Sequence, residues 1–194
     1  MMLNIPSYYV RVDSMPEDPE NSVPVCTETS NSGIFAIYYP IAANQTMPFG
    51  NARAVIDGIH QALSERQGLI EVDTGKTASG ADYIYSIVKT LKDPHGVQYT
   101  LTYQIVMADE AIHLQGFFDE IGTTGIRDTM IYELYRKEGK LSDNTAEWMQ
   151  DPYDDGYMKG IRMNLSEKEE FDKSFPEHPL SMARELVTYL CENN

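Results

Sequence analysis

Two long β-type runs, Ala81 to Leu91 and Val97 to Met107, are joined by only Lys92-Asp93-Pro94-His95-Gly96. A connection this short, holding Asp, Pro and Gly, reads as a hairpin turn. In the first arm Tyr83, Tyr85 and Ile87 alternate with Ile84, Ser86 and Val88. In the second arm Tyr99, Leu101, Tyr103 and Ile105 alternate with Thr100, Thr102 and Gln104. Successive side chains of a strand point to opposite faces, so one face of this hairpin is aromatic and apolar and the other more polar. That is the pattern of an antiparallel sheet with unequal faces.

The neighbouring segments supply further strands. Tyr8 to Val12 is a short β-type run, Val23 to Thr27 reads as an edge strand because Pro24 cannot donate to a ladder, and Gly33 to Pro40 and Leu69 to Asp73 follow. Asp109-Glu110 is read as a turn before a last strand, Ile112 to Phe118. Helical spacing marks Asn51 to Gln67, with Val55, Ile56, Ile59 and Leu63 on one stripe, Asn51 as cap and Gly68 as exit. A second helix is expected from Thr124 to Lys137, burying Ile126, Met130, Ile131 and Leu134. The sum is an α+β fold, an antiparallel sheet of five to seven strands with two main helices packed on it as an α/β/α sandwich.

Residues 1–140 form this α/β domain, and residues 141–194 read as an acidic C-terminal extension. The extension holds 12 acidic and 5 basic residues, a net −7 of the chain's −15. Trp148 stands beside the acidic tract from Asp151 to Tyr157. Ser166 to Glu169 has the spacing of a capping box, and Pro179 opens a final amphipathic helix carrying Leu180, Ala183, Leu186, Val187 and Leu190. That helix is expected to pack back on the domain or to mediate a homodimer.

The early strand Gly33-Ile34-Phe35-Ala36-Ile37-Tyr38-Tyr39-Pro40, the helix Ala52 to Leu63, and the run from Tyr99 through Phe118 into Gly125-Ile126-Arg127-Asp128 together resemble the PsbP-like, Mog-type family of α/β/α sandwiches. The resemblance covers roughly residues 5 to 140. It implies a non-catalytic binding domain, and it transfers no functional residue.

With 194 residues the chain is long enough for one domain with a sizeable core, about 70% of its unfolded surface being buried at that size. The excess of 30 acidic over 15 basic residues argues against nucleic acid and against an anionic membrane surface, and favours a basic protein partner. The N-terminal residues lack the basic and apolar regions of a secretory signal, no run spans a membrane, and two cysteines make no disulfide framework, so a cytoplasmic bacterial protein is expected.

No catalytic constellation emerges. Asp73-Thr74-Gly75-Lys76-Thr77 lacks the first Gly of a phosphate-binding loop, since position 70 is Ile, and it has no second Asp-Thr-Gly for an aspartic dyad. His60, His95, His113 and His178 form no zinc spacing, Asp151, Asp154 and Asp155 do not fit a calcium loop, and neither metal nor cofactor is expected. His178 is expected to cap the final helix. The candidate anion or ligand site is Thr123, Thr124 and Arg127 at a helix start, with His113 as a base nearby; the competing reading makes Thr123 or Thr124 a plain helix cap, with Arg127 and Asp128 paired to neighbours. The candidate partner surface is Trp148, Tyr153, Asp154, Asp155, Tyr157, Glu167, Glu169 and Glu170. The leading expectation is a non-catalytic protein-binding or adaptor domain, such as an acidic immunity-type protein that masks a basic partner. The alternatives are a ligand-binding domain or enzyme at Thr123–Arg127, and a structural domain that dimerises through its last helix.

Overall fold

The computed structural model of the chain describes residues 2–107, 110–141 and 145–194. Seven strands make one antiparallel sheet: β1 Val10–Arg11, β2 Val23–Glu28, β3 Ser32–Ile41, β4 Gln67–Lys76, β5 Asp82–Leu91, β6 Val97–Met107 and β7 Glu110–Glu120. Their order across the sheet is β1-β2-β3-β7-β6-β5-β4. The expected hairpin is β5-β6, between the central strand β7 and the margin β4. Tyr85 lies opposite Tyr103, Leu91 lies opposite Val97, and the Lys92 N–H closes the turn on the Gly96 carbonyl at 3.0 Å. Of the expected turn before β7, Asp109 lies outside the described residues and Glu110 is the first residue of the strand.

The alternation decides which helix covers which face. Tyr85, Ile87, Tyr99, Leu101, Tyr103 and Ile105 form one core with Leu180, Ala183, Leu186 and Leu190 of the last helix, α3 (Pro179–Asn193). On the opposite face Leu69, Val72 and Ile84 pack against Val55 and Ile56 of the first helix, α1 (Ala52–Ala62). The side-chain caps of both helices are those expected: Asn51 accepts from the Ala54 N–H at 3.1 Å, and His178 Nδ1 accepts from the Leu180 N–H at 3.2 Å.

Three local expectations are corrected. First, α1 ends at Ala62, and Gly68 is a strand residue of β4. A Cβ there would stand 1.6 Å from the Ile161 carbonyl oxygen, so its smallness serves a close backbone approach. Second, the capping box is Asn164 with Glu167, not Ser166 with Glu169. It opens a single 3-10 turn, Leu165–Glu167, followed by a second one, Glu169–Ser174. Third, the helix from residue 124 begins later, as α2 Ile126–Lys137, and of its expected buried stripe only Ile131 is inside. Ile126, Met130 and Leu134 are exposed by 40%, 58% and 42%. The sheet face that this stripe was expected to cover is occupied by α3, so α2 is pushed to the margin and buries Arg127 instead.

Residues 149–164 form a strap. Two-residue strands β8 (Met149–Gln150) and β9 (Met163–Asn164) pair with each other, and the segment between them runs along β4. The Val72 N–H donates to the Tyr153 hydroxyl at 2.6 Å, and that hydroxyl donates back to the Val72 carbonyl at 3.1 Å. The Ile161 N–H donates to the Gln67 carbonyl at 3.1 Å. No described helix is long and apolar enough to cross a membrane.

Candidate functional site

The surroundings of α2 hold most of the residues that the sequence singles out, and they fall into three groups: a buried polar network, two cavities at the helix start, and an uncovered apolar stripe.

Arg127 is 1% exposed and lies in the network. Its Nε donates to the Ser166 carbonyl at 2.7 Å, Nη1 to Asp172 Oδ1 and to Ser181 Oγ at 2.9 Å each, and Nη2 to the Lys168 carbonyl at 3.0 Å. At least four of its five N–H donors are therefore used inside the protein. Asp172 also takes Arg184 Nη1, and Arg184 Nε reaches Glu71 at 2.7 Å, to which the Tyr85 hydroxyl donates. Next to this chain, Lys89 Nζ pairs with Glu167 Oε2 at 2.7 Å while the Tyr99 hydroxyl donates to Glu167 Oε1 at 2.8 Å. Asp128 accepts from the Ser166 hydroxyl and from Asn164 Nδ2. Burial and then the Glu167 charge push the Tyr99 hydroxyl well up, so it stays a donor. A buried charge is tolerable only when paired and hydrogen-bonded, and these are.

This geometry re-sorts the sequence candidates. Arg127 is a strut between α2, the two 3-10 turns and α3. Thr123 and Thr124 do not cap α2. The cap is Gly125 in a left-handed conformation (φ 74°), and its N–H donates to Glu120 Oε1 at 2.7 Å. His113 sits seven residues before Glu120 on the same strand, about 24 Å away. Its ring lies tilted against Tyr39 and is hydrogen-bonded to Gln104 Nε2 at 3.0 Å, and burial pushes its pKa down. Of the four proposed site residues, Thr123 and Arg127 line one cavity at the helix start and Thr124 the adjoining one, while His113 stands apart.

The proposed partner surface is divided as well. Glu167 does not face solvent: it is 1% exposed and pairs with Lys89. Tyr153 holds the β4 edge, and Tyr157 stacks on His60 at 4.0 Å and donates to the His60 carbonyl. Asp151 beneath them pairs with His60 Nε2 at 2.9 Å. Trp148 packs edge-on against Tyr132 of α2, with ring centres 5.1 Å apart. Asp154, Asp155, Glu169 and Glu170 are exposed. The aromatic members of the tract are thus anchors of the fold, while these four carboxylates give the surface its charge.

Two cavities flank the start of α2. One, of about 220 Å³, is lined by Thr123, Ile126, Arg127, Phe175, Glu177 and His178, with Glu120 at its side. The other, of about 260 Å³, lies on the far side of the Gly122–Gly125 turn against Tyr99, Asp128 and Thr124, and it shares Glu120 and His178. Burial pushes the Glu120 carboxyl up, and burial together with Arg127 and Arg184 pushes His178 down to about 3, so its imidazole is neutral. Farther along α2, an open apolar cavity of about 490 Å³ is lined by Met130, Leu134 and Phe175. Sequence periodicity found this stripe and assigned it to the core; a helical stripe has the same signature whether it meets a sheet or is left open.

No family model matches the chain, and no curated protein matches it. Among solved structures, the chain is similar to the solution structure of cyanobacterial PsbP (CyanoP) from Synechocystis sp. PCC 6803. The identity is 16% and the TM-score 0.38, over 70% of this chain and 81% of that one. A likeness this remote carries no argument about function, and nothing found supports the Mog-type side of the sequence resemblance.

Proposed function

We propose that this is a non-catalytic protein-binding domain that docks a basic partner through the exposed side of α2. The observation that carries the reading is the uncovered stripe Ile126, Met130, Leu134, next to Phe175, on a molecule whose other helices have turned their apolar sides inward. Contiguous exposed apolar surface beside a cavity marks an interaction site more often than a packing defect. The net charge of −15 supplies the complementarity: it raises the encounter rate with a cationic protein and disfavours a second copy of the same chain. An adaptor or immunity-type role that masks a basic partner follows the same logic. The alternatives have less support. Most of the Arg127 guanidinium is committed to neighbours, which weakens an anion site, and the apolar side of α3 is committed to the sheet, which weakens dimerisation through that helix.

The test uses the full chain and its Met130→Glu variant as paired baits in a lysate of the native host. The reading expects a basic protein retained by the first, released by moderate salt and absent from the second. Equal capture by both baits, or retention unaffected by salt, overturns it.

A further inference from the structure

The cavities on α2 are not separate. The apolar cavity over Met130 and Leu134 and the smaller one beside Ile126 share Ser174 and Phe175, so they form one groove along the helix. From Ile126 to Leu134 the groove floor spans about 12 Å. Its two ends differ in chemistry. The Leu134 end is mainly apolar, with Glu133 and Lys137 as an opposed charge pair along its side, and the Ile126 end closes on Glu120 and Glu177.

Those two carboxylates are short of positive charge. Glu120 accepts the Gly125 N–H, and Glu177 accepts the Ser30 hydroxyl; among the described residues neither is ion-paired. The other groups facing this end do not offset them. Arg127 is matched by Asp172, His178 is neutral, and Asp128 lies just beyond. The start of α2 contributes only about half a positive charge. Two carboxylates beside a partly buried, partly apolar hollow attract a cation on a flexible apolar stem, which describes the side chain of Lys or Arg.

Resting on the docking proposed above, the geometry points to one occupant: an amphipathic helix of a partner protein. Its apolar side lies on Met130, Leu134 and Phe175, and one Lys or Arg side chain enters between Glu120 and Glu177. The helix form follows from the floor. Ile126, Met130 and Leu134 recur every fourth residue, the spacing that the i, i+4 anchors of a second helix match. The carboxyl-lined end then acts as the selector, because a neutral side chain placed there would leave both carboxylates without a counter-charge.

A displayed library of random peptides of about 16 residues, long enough for four helical turns, is selected on the full-length chain. Enriched peptides are expected to carry apolar residues at i and i+4 with Lys or Arg about one turn beyond. The same selection on Glu120→Gln/Glu177→Gln is expected to lose the Lys or Arg enrichment, and a peptide from the first selection is expected to bind this variant about tenfold more weakly. Gln at 120 still accepts the Gly125 N–H, and an unchanged urea midpoint confirms the fold. Peptides that bind both forms equally and fail on Met130→Glu overturn the selector and leave the docking reading standing. Peptides indifferent to Met130→Glu, or no enriched peptide at all, overturn both.

Discussion

Arg127 Nη1 stands 2.9 Å from Asp172 Oδ1, across 45 positions of sequence, and this contact ties α2 to the segment between the strap and α3. Asp172 holds Arg184 on its other side, so two guanidinium groups from two helices meet on one carboxylate. The sharing makes α2, the 3-10 turns and α3 a single mechanical unit.

Replacing Arg127 by Met is expected to cost roughly 3–5 kcal/mol, because the Ser166 and Lys168 carbonyls lose their donor and Asp172 loses a counter-charge. Arg127→Lys is expected to recover little, since one ammonium cannot reach acceptors placed for a planar fork. Urea midpoints measure the cost. Trp148, the chain's single tryptophan, reports whether α2 has lifted away, through a red shift of its emission.

The Lys89–Glu167 pair is expected to show strong coupling. Lys89→Met alone leaves a buried carboxylate held, among the described residues, by the Tyr99 hydroxyl and the Asn164 N–H, at a cost of about 3–5 kcal/mol. Adding Glu167→Gln removes that stranded charge, and the double variant should be more stable than Lys89→Met. A double-mutant cycle with additive costs would show the pair to be uncoupled.

Acid should loosen the α3 start. His178 takes up a proton near pH 3 in the fold but near its ordinary value of about 6.5 when unfolded. Between those values the unfolded chain binds more protons, so stability is complete above the upper one and falls as pH is lowered towards the lower one. The slope from this group is at most about 1.4 kcal/mol per pH unit. Glu120, whose carboxyl is pushed up, contributes with the opposite sign, its share being lost as pH rises. Asn at 178 still caps α3, so His178→Asn should flatten the dependence between about pH 4 and 6 in urea titrations. A slope equal to that of the parent chain would assign the acid sensitivity elsewhere.

Met130→Glu is expected to leave stability within about 0.5 kcal/mol, whereas Ile131→Ala, one residue on, should cost about 2–4 kcal/mol. Thermal unfolding of the pair separates the open side of α2 from its packed side.

Much of the fold was legible because alternation is a local signal. Tyr85, Ile87, Leu101 and Tyr103 state by their spacing that they share a face, and Asn51 and His178 state by their type that they can cap. What was not legible depends on competition between segments. Nothing inside Ile126 to Leu134 says that α3, more than forty residues later, takes the sheet face first. Glu167 looks like any surface glutamate until Lys89 and Tyr99 are brought to it across the sheet. The candidate site shared this fate: that Arg127 pairs with neighbours was one of two readings open to the sequence, and the signal that singles it out is not its own motif but the acceptors gathered from 166 to 181.

The strap along β4 has a consequence for how this molecule meets others. A bare sheet margin offers unpaired amides on which another chain can lay down an extra strand. Here one margin is β1, only two residues long, and on the other the Tyr153 hydroxyl and the Ile161 amide occupy backbone groups of Val72 and Gln67. Backbone zippering, and the fibrous stacking that grows from it, thus meets an obstacle at both borders. These covered stretches of edge leave side chains as the larger part of what a partner would read.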